Sequence, residues 1–293
     1  MPAGSDSRGE IVSAAMRIVT YASERGQRAG VLVDGNVVDA WDALGGDGSS
    51  VRDLLEDDRL DELSGIDASG GVALGDVELL PPVPDPDKII CIGLNYRAHA
   101  AEAGIDPPDS PTFFAKFRNA LAPAGAAVAL PAASSKVDYE AEVAFVVGRR
   151  AAEVDESVAA DHIAGYMLLN DLSARDLQFA TPQWIPGKVF DGAAPCGPAL
   201  VTADEALDGG NVPFSLTLNG DVMQDASTDD LIFGIPELVA HLSRLMTLEP
   251  GDIVSTGTPS GVGSTRDPRV WLKPGDEVVI SSPTLGLLET RIA

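Results

Sequence analysis

Glu140 and Glu142 stand two residues apart in Val137-Asp138-Tyr139-Glu140-Ala141-Glu142-Val143-Ala144-Phe145-Val146-Val147-Gly148. The run alternates apolar residues with others and closes on a glycine, which predicts a strand. Side chains at i and i+2 of a strand leave the same face, so the two carboxylates project side by side. Such groups repel, and a poorly solvated site holds both only with a proton or a cation. A third carboxylate, Asp171, ends the apolar run Gly165-Tyr166-Met167-Leu168-Leu169-Asn170-Asp171. Three carboxylates with no Cys or His nearby suit a hard divalent ion such as Mg²⁺ or Mn²⁺. By itself a Glu-x-Glu pair more often marks a solvated strand face. Here the same face continues through Ala144 and Val146, which is out of character for a wet surface.

His99 and Glu102 form His-x-x-Glu on a predicted short helix, where i and i+3 share a face. A carboxylate beside an imidazole fixes its tautomer and raises its basicity, as a general base requires. A Zn²⁺ site would need further His or Cys ligands, and the other histidines, His162 and His241, sit in structural contexts. Arg175 and Gln178 lie one helical turn apart just beyond Asp171. The arginine fork suits a substrate carboxylate, although Arg175-Asp176 also fits an ordinary surface pair. Lys188 follows Pro186-Gly187; there it offsets the carboxylate charge and stabilises a developing enolate, or else occupies a solvated loop. The loop Ser255-Thr256-Gly257-Thr258-Pro259-Ser260-Gly261-Val262-Gly263 allows close backbone approach to a ligand. It lacks a Gly-Lys-Ser/Thr ending, so it is not a P-loop.

These residues need a β-rich frame. The predicted strands are short, Gly and Pro punctuate them, and helices are few, which argues for a rolled sheet of α+β class. Met16–Tyr21 starts the first strand, and 30–39 forms a hairpin across Asp34-Gly35. Short helices are expected over 51–63, 95–103, 158–163, 173–179 and 236–246. The proline run at 81–86 divides a small N-terminal α/β domain, 16–80, from a catalytic domain, 81–293; residues 1–15 form a loose leader. The 293-residue chain is 45% hydrophobic with a mean hydropathy of +0.09, ample for a core. Its formal charge of −25, from 45 acidic against 20 basic residues, opposes nucleic acids and anionic membranes. No apolar run is long enough to span a bilayer. Two cysteines and a polar N-terminus point to the cytoplasm.

The stretches Ile92–His99, Asp138–Glu142, Asn170–Gln178, Gly187-Lys188, Leu218–Gly220 and Thr256–Gly263 together resemble the fumarylacetoacetate hydrolase family, in family order across roughly 88–292. The resemblance implies a mixed β-roll catalytic domain, a homodimer, and Mg²⁺ or Mn²⁺ bound by Glu140, Glu142 and Asp171. It makes His99 and Glu102 a dyad on a lid and Lys188 the cation near the reacting carbonyl. Arg175, Gln178 and Thr258 become substrate contacts. The activity it implies first is hydrolysis of a C–C bond in a 2,4-dioxo acid of acylpyruvate or fumarylpyruvate type, by dyad-activated water and a metal-stabilised enolate. Decarboxylation of oxaloacetate and enol–keto isomerisation of a 2-oxo acid are the alternatives on the same site.

Overall fold

The strand Ala141–Val147 is buried at every position. It runs through the middle of a sheet covered on both faces, where strands are continuously apolar. It pairs antiparallel with Ile163–Asn170 on one side and Ile253–Ser255 on the other. Beyond Ile253–Ser255 the sheet adds Ile89–Gly93, in parallel, and the edge strand Thr112–Lys116. Beyond Ile163–Asn170 it adds Ala194–Thr202, Arg17–Ser23, Gly26–Val33 and Asn36–Asp39. This mixed sheet has 12 strands, and a 5-stranded sheet from Asp221–Ser227 round to Ala127–Val128 packs against its Ile163–Asn170 and Ala194–Thr202 strands. The longest helix, Ile235–Leu245, buries Leu238, Val239 and Leu242. The fold is the strand-rich α+β class expected. The computed structural model describes residues 16–206 and 211–293.

The N-terminal hairpin closes as its sequence requires, with Asp34 and Gly35 both at positive φ, 48° and 77°. Its strands join the large sheet directly, since Arg17 and Ile18 lie opposite Val201 and Leu200. The proline run at 81–86 forms no regular element and lies largely buried, with Thr20 Oγ1 donating to the Pro82 carbonyl at 2.7 Å. The expected leader falls outside the described residues. Among those described, no helix is long and apolar enough to cross a membrane.

Three local expectations change. The strand over 137–148 is two strands, Val137–Asp138 and Ala141–Val147, because Val137–Asp138 turns away to pair with Ser173–Ala174. At the break, the Ala141 amide donates to Gln224 Oε1 (2.9 Å) and the Glu140 amide to Asn170 Oδ1 (3.2 Å). The helix after Asp171 shrinks to Arg175–Gln178 for the same reason. The segment before Ile163 is the 3₁₀ helix Glu156–His162.

Gly165 lies on the Ile163–Asn170 strand hard against the Ala194–Thr202 strand. A Cβ there would lie 2.2 Å from the Val201 carbonyl oxygen. The obstruction is backbone, so no side-chain rotation relieves it. Gly165→Ala is expected to destabilise the protein by roughly 3 kcal/mol, read as a lower urea midpoint with unchanged m-value.

Candidate metal centre and active site

The ladder register assembles the acidic centre. Ala141 lies opposite Asn170 and Glu142 opposite Leu169, so the next step outward sets Glu140 against Asp171. The Asp171 amide donates to the Glu140 carbonyl at 2.9 Å. Cross-strand neighbours and i, i+2 residues share a face. Glu140, Glu142 and Asp171 therefore converge, each buried, with one carboxylate oxygen apiece within 4.8 Å of the others.

Buried cations hold this cluster. Lys188 Nζ bonds Glu140 Oε2 at 2.7 Å and Asp171 Oδ2 at 2.8 Å, while lying 4.7 Å from the centre of the Phe114 ring. Its loop comes this close because residue 187 is glycine: a Cβ there would meet the Ala174 carbonyl oxygen at 2.5 Å and Gln178 Cβ at 2.6 Å. Arg175 Nη2 reaches Glu140 Oε1 at 2.7 Å and Asp138 Oδ2 at 2.8 Å, and Nη1 donates to Gln178 Oε1 at 3.0 Å. It is thus a brace within the site more than an open fork. Gln178 orients it and also faces the cavity. The Thr258 hydroxyl donates to the Ala141 carbonyl (3.0 Å) and accepts from Gln224 Nε2 (2.8 Å), so its one proton is committed to the protein.

Sequence reasoning passed over Lys116, Asp138 and Gln224. Fully buried Lys116 directs its ammonium to the carbonyls of Lys188 (2.6 Å), Ala193 (2.9 Å) and Leu172 (3.3 Å). It also lies 2.8 Å from Asp171 Oδ1, yet that buried oxygen receives no aligned hydrogen bond. An ammonium has three N–H groups, and here carbonyls take them, so Asp171 Oδ1 gains charge but keeps its lone pairs open. The clue was Lys116 sharing strand parity with the apolar Phe114. Asp138 shares parity with Glu140 and Glu142, but its carboxylate turns to Arg175 and to the amides of Gly263 (2.7 Å) and Ser264 (3.0 Å). Gln224, 83 residues from its partner Ala141, left no local signal.

Charge separates the carboxylates. Burial alone would raise Glu140, but the Arg175 and Lys188 cations hold it well below the usual carboxylate range. Glu142 goes the other way: burial, then the Asp171 and Glu140 charges, push it well above its ordinary 4.5. Its Oε2 takes only Ser255 Oγ (2.5 Å) and the Gly257 amide (3.0 Å). A buried carboxylate without a basic partner, two others beside it and an open Asp171 oxygen make an all-oxygen donor set. That set fits a hard divalent ion.

The 255–264 loop aims its amides at the protein's own carboxylates, not at a phosphate. Besides Glu142 and Asp138, it takes Glu102: the Gly261 amide lies 3.0 Å from Oε1 and 3.2 Å from Oε2. Glu102 in turn meets His99 Nδ1 at 3.3 Å. The dyad's helix, Arg97–Ala103, ends on Gly104 as expected. His99, the three carboxylates, Arg175, Gln178, Lys188 and Thr258 all line one cavity of about 520 Å³, and Glu102 stands behind His99.

A family model for the fumarylacetoacetate hydrolase C-terminal domain matches residues 88–293. A Dictyostelium discoideum protein named fumarylacetoacetate hydrolase domain-containing protein 2 homolog is 37% identical over 94% of this chain and 97% of its own. The Bos taurus protein named oxaloacetate tautomerase FAHD2A, mitochondrial, is 41% identical over 74% of this chain and 70% of its own. The solved fumarylacetoacetate hydrolase of Exiguobacterium antarcticum superposes with a TM-score of 0.82 at 30% identity, covering 95% of this chain and 99% of that one. The chain belongs to the fumarylacetoacetate hydrolase family. It is an enzyme, and its acidic cluster is suited to a divalent metal.

Glu142 links that ion to pH. Its folded pKa is raised, so between 4.5 and the folded value the folded state holds more protons than the unfolded one. Its contribution to stability is complete below 4.5 and is lost as pH rises through the folded value. Metal-free protein should therefore lose thermal stability as pH rises above 4.5, and Mn²⁺ should flatten that slope. Mn²⁺ binding should release a proton in a weakly buffered titration; a pH-independent, proton-neutral titration would contradict this assignment.

Proposed function

We propose that the protein is a divalent-metal-dependent tautomerase that interconverts the enol and keto forms of a 2-oxo acid. The single observation that supports it most is His99, seated by Glu102 on the rim of the cavity that holds the three carboxylates. Glu140, Glu142 and Asp171 would hold Mg²⁺ or Mn²⁺, which when bound supplies Lewis-acid polarisation of the 2-oxo oxygen. Glu102 engages Nδ1 of His99 and leaves Nε2 as the nitrogen that moves protons. In ketonisation one proton arrives at C3 and one leaves O2; no water or co-reactant enters. Lys188 does not act as a base. Burial opposes its charge, but Asp171 and Glu140 outweigh burial and hold its pKa above the usual ammonium value. It stands as a fixed positive charge beside developing enolate oxygen. Arg175 holds Glu140 and orients Gln178, whose amide would position the substrate carboxylate, and Thr258 shapes the floor of the site.

A second reading is C–C hydrolysis of a 2,4-dioxo acid. The same dyad favours it, because an imidazole held by a carboxylate also activates water. The bovine relative's name supports the tautomerase and the Exiguobacterium neighbour's name the hydrolase. A cytoplasmic homodimer is proposed on the composition and on the family resemblance respectively.

Mg²⁺- or Mn²⁺-loaded protein should accelerate loss of the enol absorbance of oxaloacetate without releasing CO₂, and chelation should abolish the effect. His99→Ala should lower the rate about 10²- to 10⁴-fold with metal affinity unchanged. Cleavage of acetylpyruvate into two acids, with no enol–keto acceleration, would replace the first reading by the second.

A further inference from the structure

The helix that carries His99 and Glu102, Arg97–Ala103, has little of its own to hold it in place. Of its 7 residues only Ala100 is buried, and its N-cap residue, Tyr96, makes no side-chain bond to the helix amides. A helix this short owes its order to packing and capping, not to propensity. The missing cap comes from a distant part of the chain. Asp230 Oδ2 accepts the Ala98 amide at 2.9 Å, which satisfies one of the donors that the first turn leaves open.

The residues after Asp230 fasten the entry to the same helix. Arg97 Nη1 donates to the Leu231 carbonyl at 2.6 Å, and Tyr96 pairs with Leu231 in an isolated antiparallel bridge. The Ile232 amide donates to the Asn95 carbonyl at 2.7 Å. Fully buried Asn95 then exchanges side-chain bonds with Phe233: Nδ2 donates to its carbonyl (3.2 Å), and Oδ1 accepts its amide (2.9 Å). This segment continues from the strand Asp221–Ser227, whose Gln224 takes the Ala141 amide and donates to the Pro259 carbonyl, both at 2.9 Å. One stretch of chain, 221–233, therefore holds both the strand of Glu142 and the helix of His99. At the helix's other end the Gly261 amide holds Glu102, so His99 lies between two tethers.

From these contacts we propose that Asp230 is a positioning residue for His99. Its carboxylate latches the first turn of the helix and keeps the imidazole in the wall of the cavity that holds the acidic centre. Asp230 itself stands outside the lining of that cavity, so it acts only through the helix. Glu102 sets the state of the ring; Asp230 sets the place of the helix. The inference rests on the reading of His99 as the group that moves protons.

The test compares Asp230→Ala with Asp230→Asn in Mn²⁺-loaded full-length protein. Asparagine keeps an oxygen for the Ala98 amide and caps as well as aspartate, whereas alanine removes the acceptor. In Asp230→Ala, hydrogen exchange over 97–105 should quicken roughly tenfold, the usual worth of a cap, while the core strand 141–147 keeps its protection. The kcat for oxaloacetate enol–keto conversion should fall severalfold, up to about tenfold, with KM and Mn²⁺ affinity unchanged. Asp230→Asn should restore both exchange and kcat. Unchanged exchange or unchanged kcat in Asp230→Ala, or an asparagine variant as impaired as the alanine one, would overturn the latch. Faster exchange shared by the core strand would overturn it too, because the effect would then be global. If wild type turns over neither oxaloacetate nor acetylpyruvate, the functional reading fails and the positioning role falls with it, whatever exchange shows of the helix.

Discussion

The structure turns on a buried cluster of like charges. Glu140, Glu142 and Asp171 are brought together with Asp138 close behind, and burying carboxylates costs several kcal/mol each unless they are paired. Arg175, Lys188 and Lys116 answer three of the four. Glu142 is left without a basic partner, and the excess negative charge collects there. The cluster is therefore suited to a divalent cation, whose charge would offset that of Glu142. The surrounding architecture serves that balance: the antiparallel register that opposes Glu140 and Asp171, the absent side chain at Gly187, and the Lys116 ammonium that charges Asp171 without closing its Oδ1.

How much of this was legible in the chain depends on how local the cause was. Strand parity is local, so Glu140 and Glu142 could be set on one face from their spacing alone. The turn at Asp34-Gly35 and the stop at Gly104 follow equally from backbone chemistry. Asp171 could be placed at the end of an apolar run, but that it faces Glu140 follows from the cross-strand register, which the spacing within one strand does not give. Lys116 and Gln224 were not legible, because what defines them is a contact across a large sequence separation: Lys116 meets Ala193 and Gln224 meets Ala141. The split of the 137–148 strand has the same origin. Val137–Asp138 pairs with Ser173–Ala174, a partner that its own run does not reveal. The glycine-rich 255–264 loop also resolves in this way: its amides are presented for close approach as expected, but carboxylates of the fold itself take them.

That loop joins the His99–Glu102 pair to the charged part of the site. Its Gly257 amide fixes Glu142, its Gly261 amide fixes Glu102 and its Gly263 and Ser264 amides fix Asp138. A displacement of one amide is felt at the others through a few covalent bonds. His99 is therefore positioned relative to the acidic centre by backbone, although its own helix is partly exposed. Under the proposed function, tautomerisation and C–C hydrolysis would share every one of these contacts and diverge only in what His99 meets, a substrate carbon or a water. The residues that make the centre are therefore silent on which reaction follows.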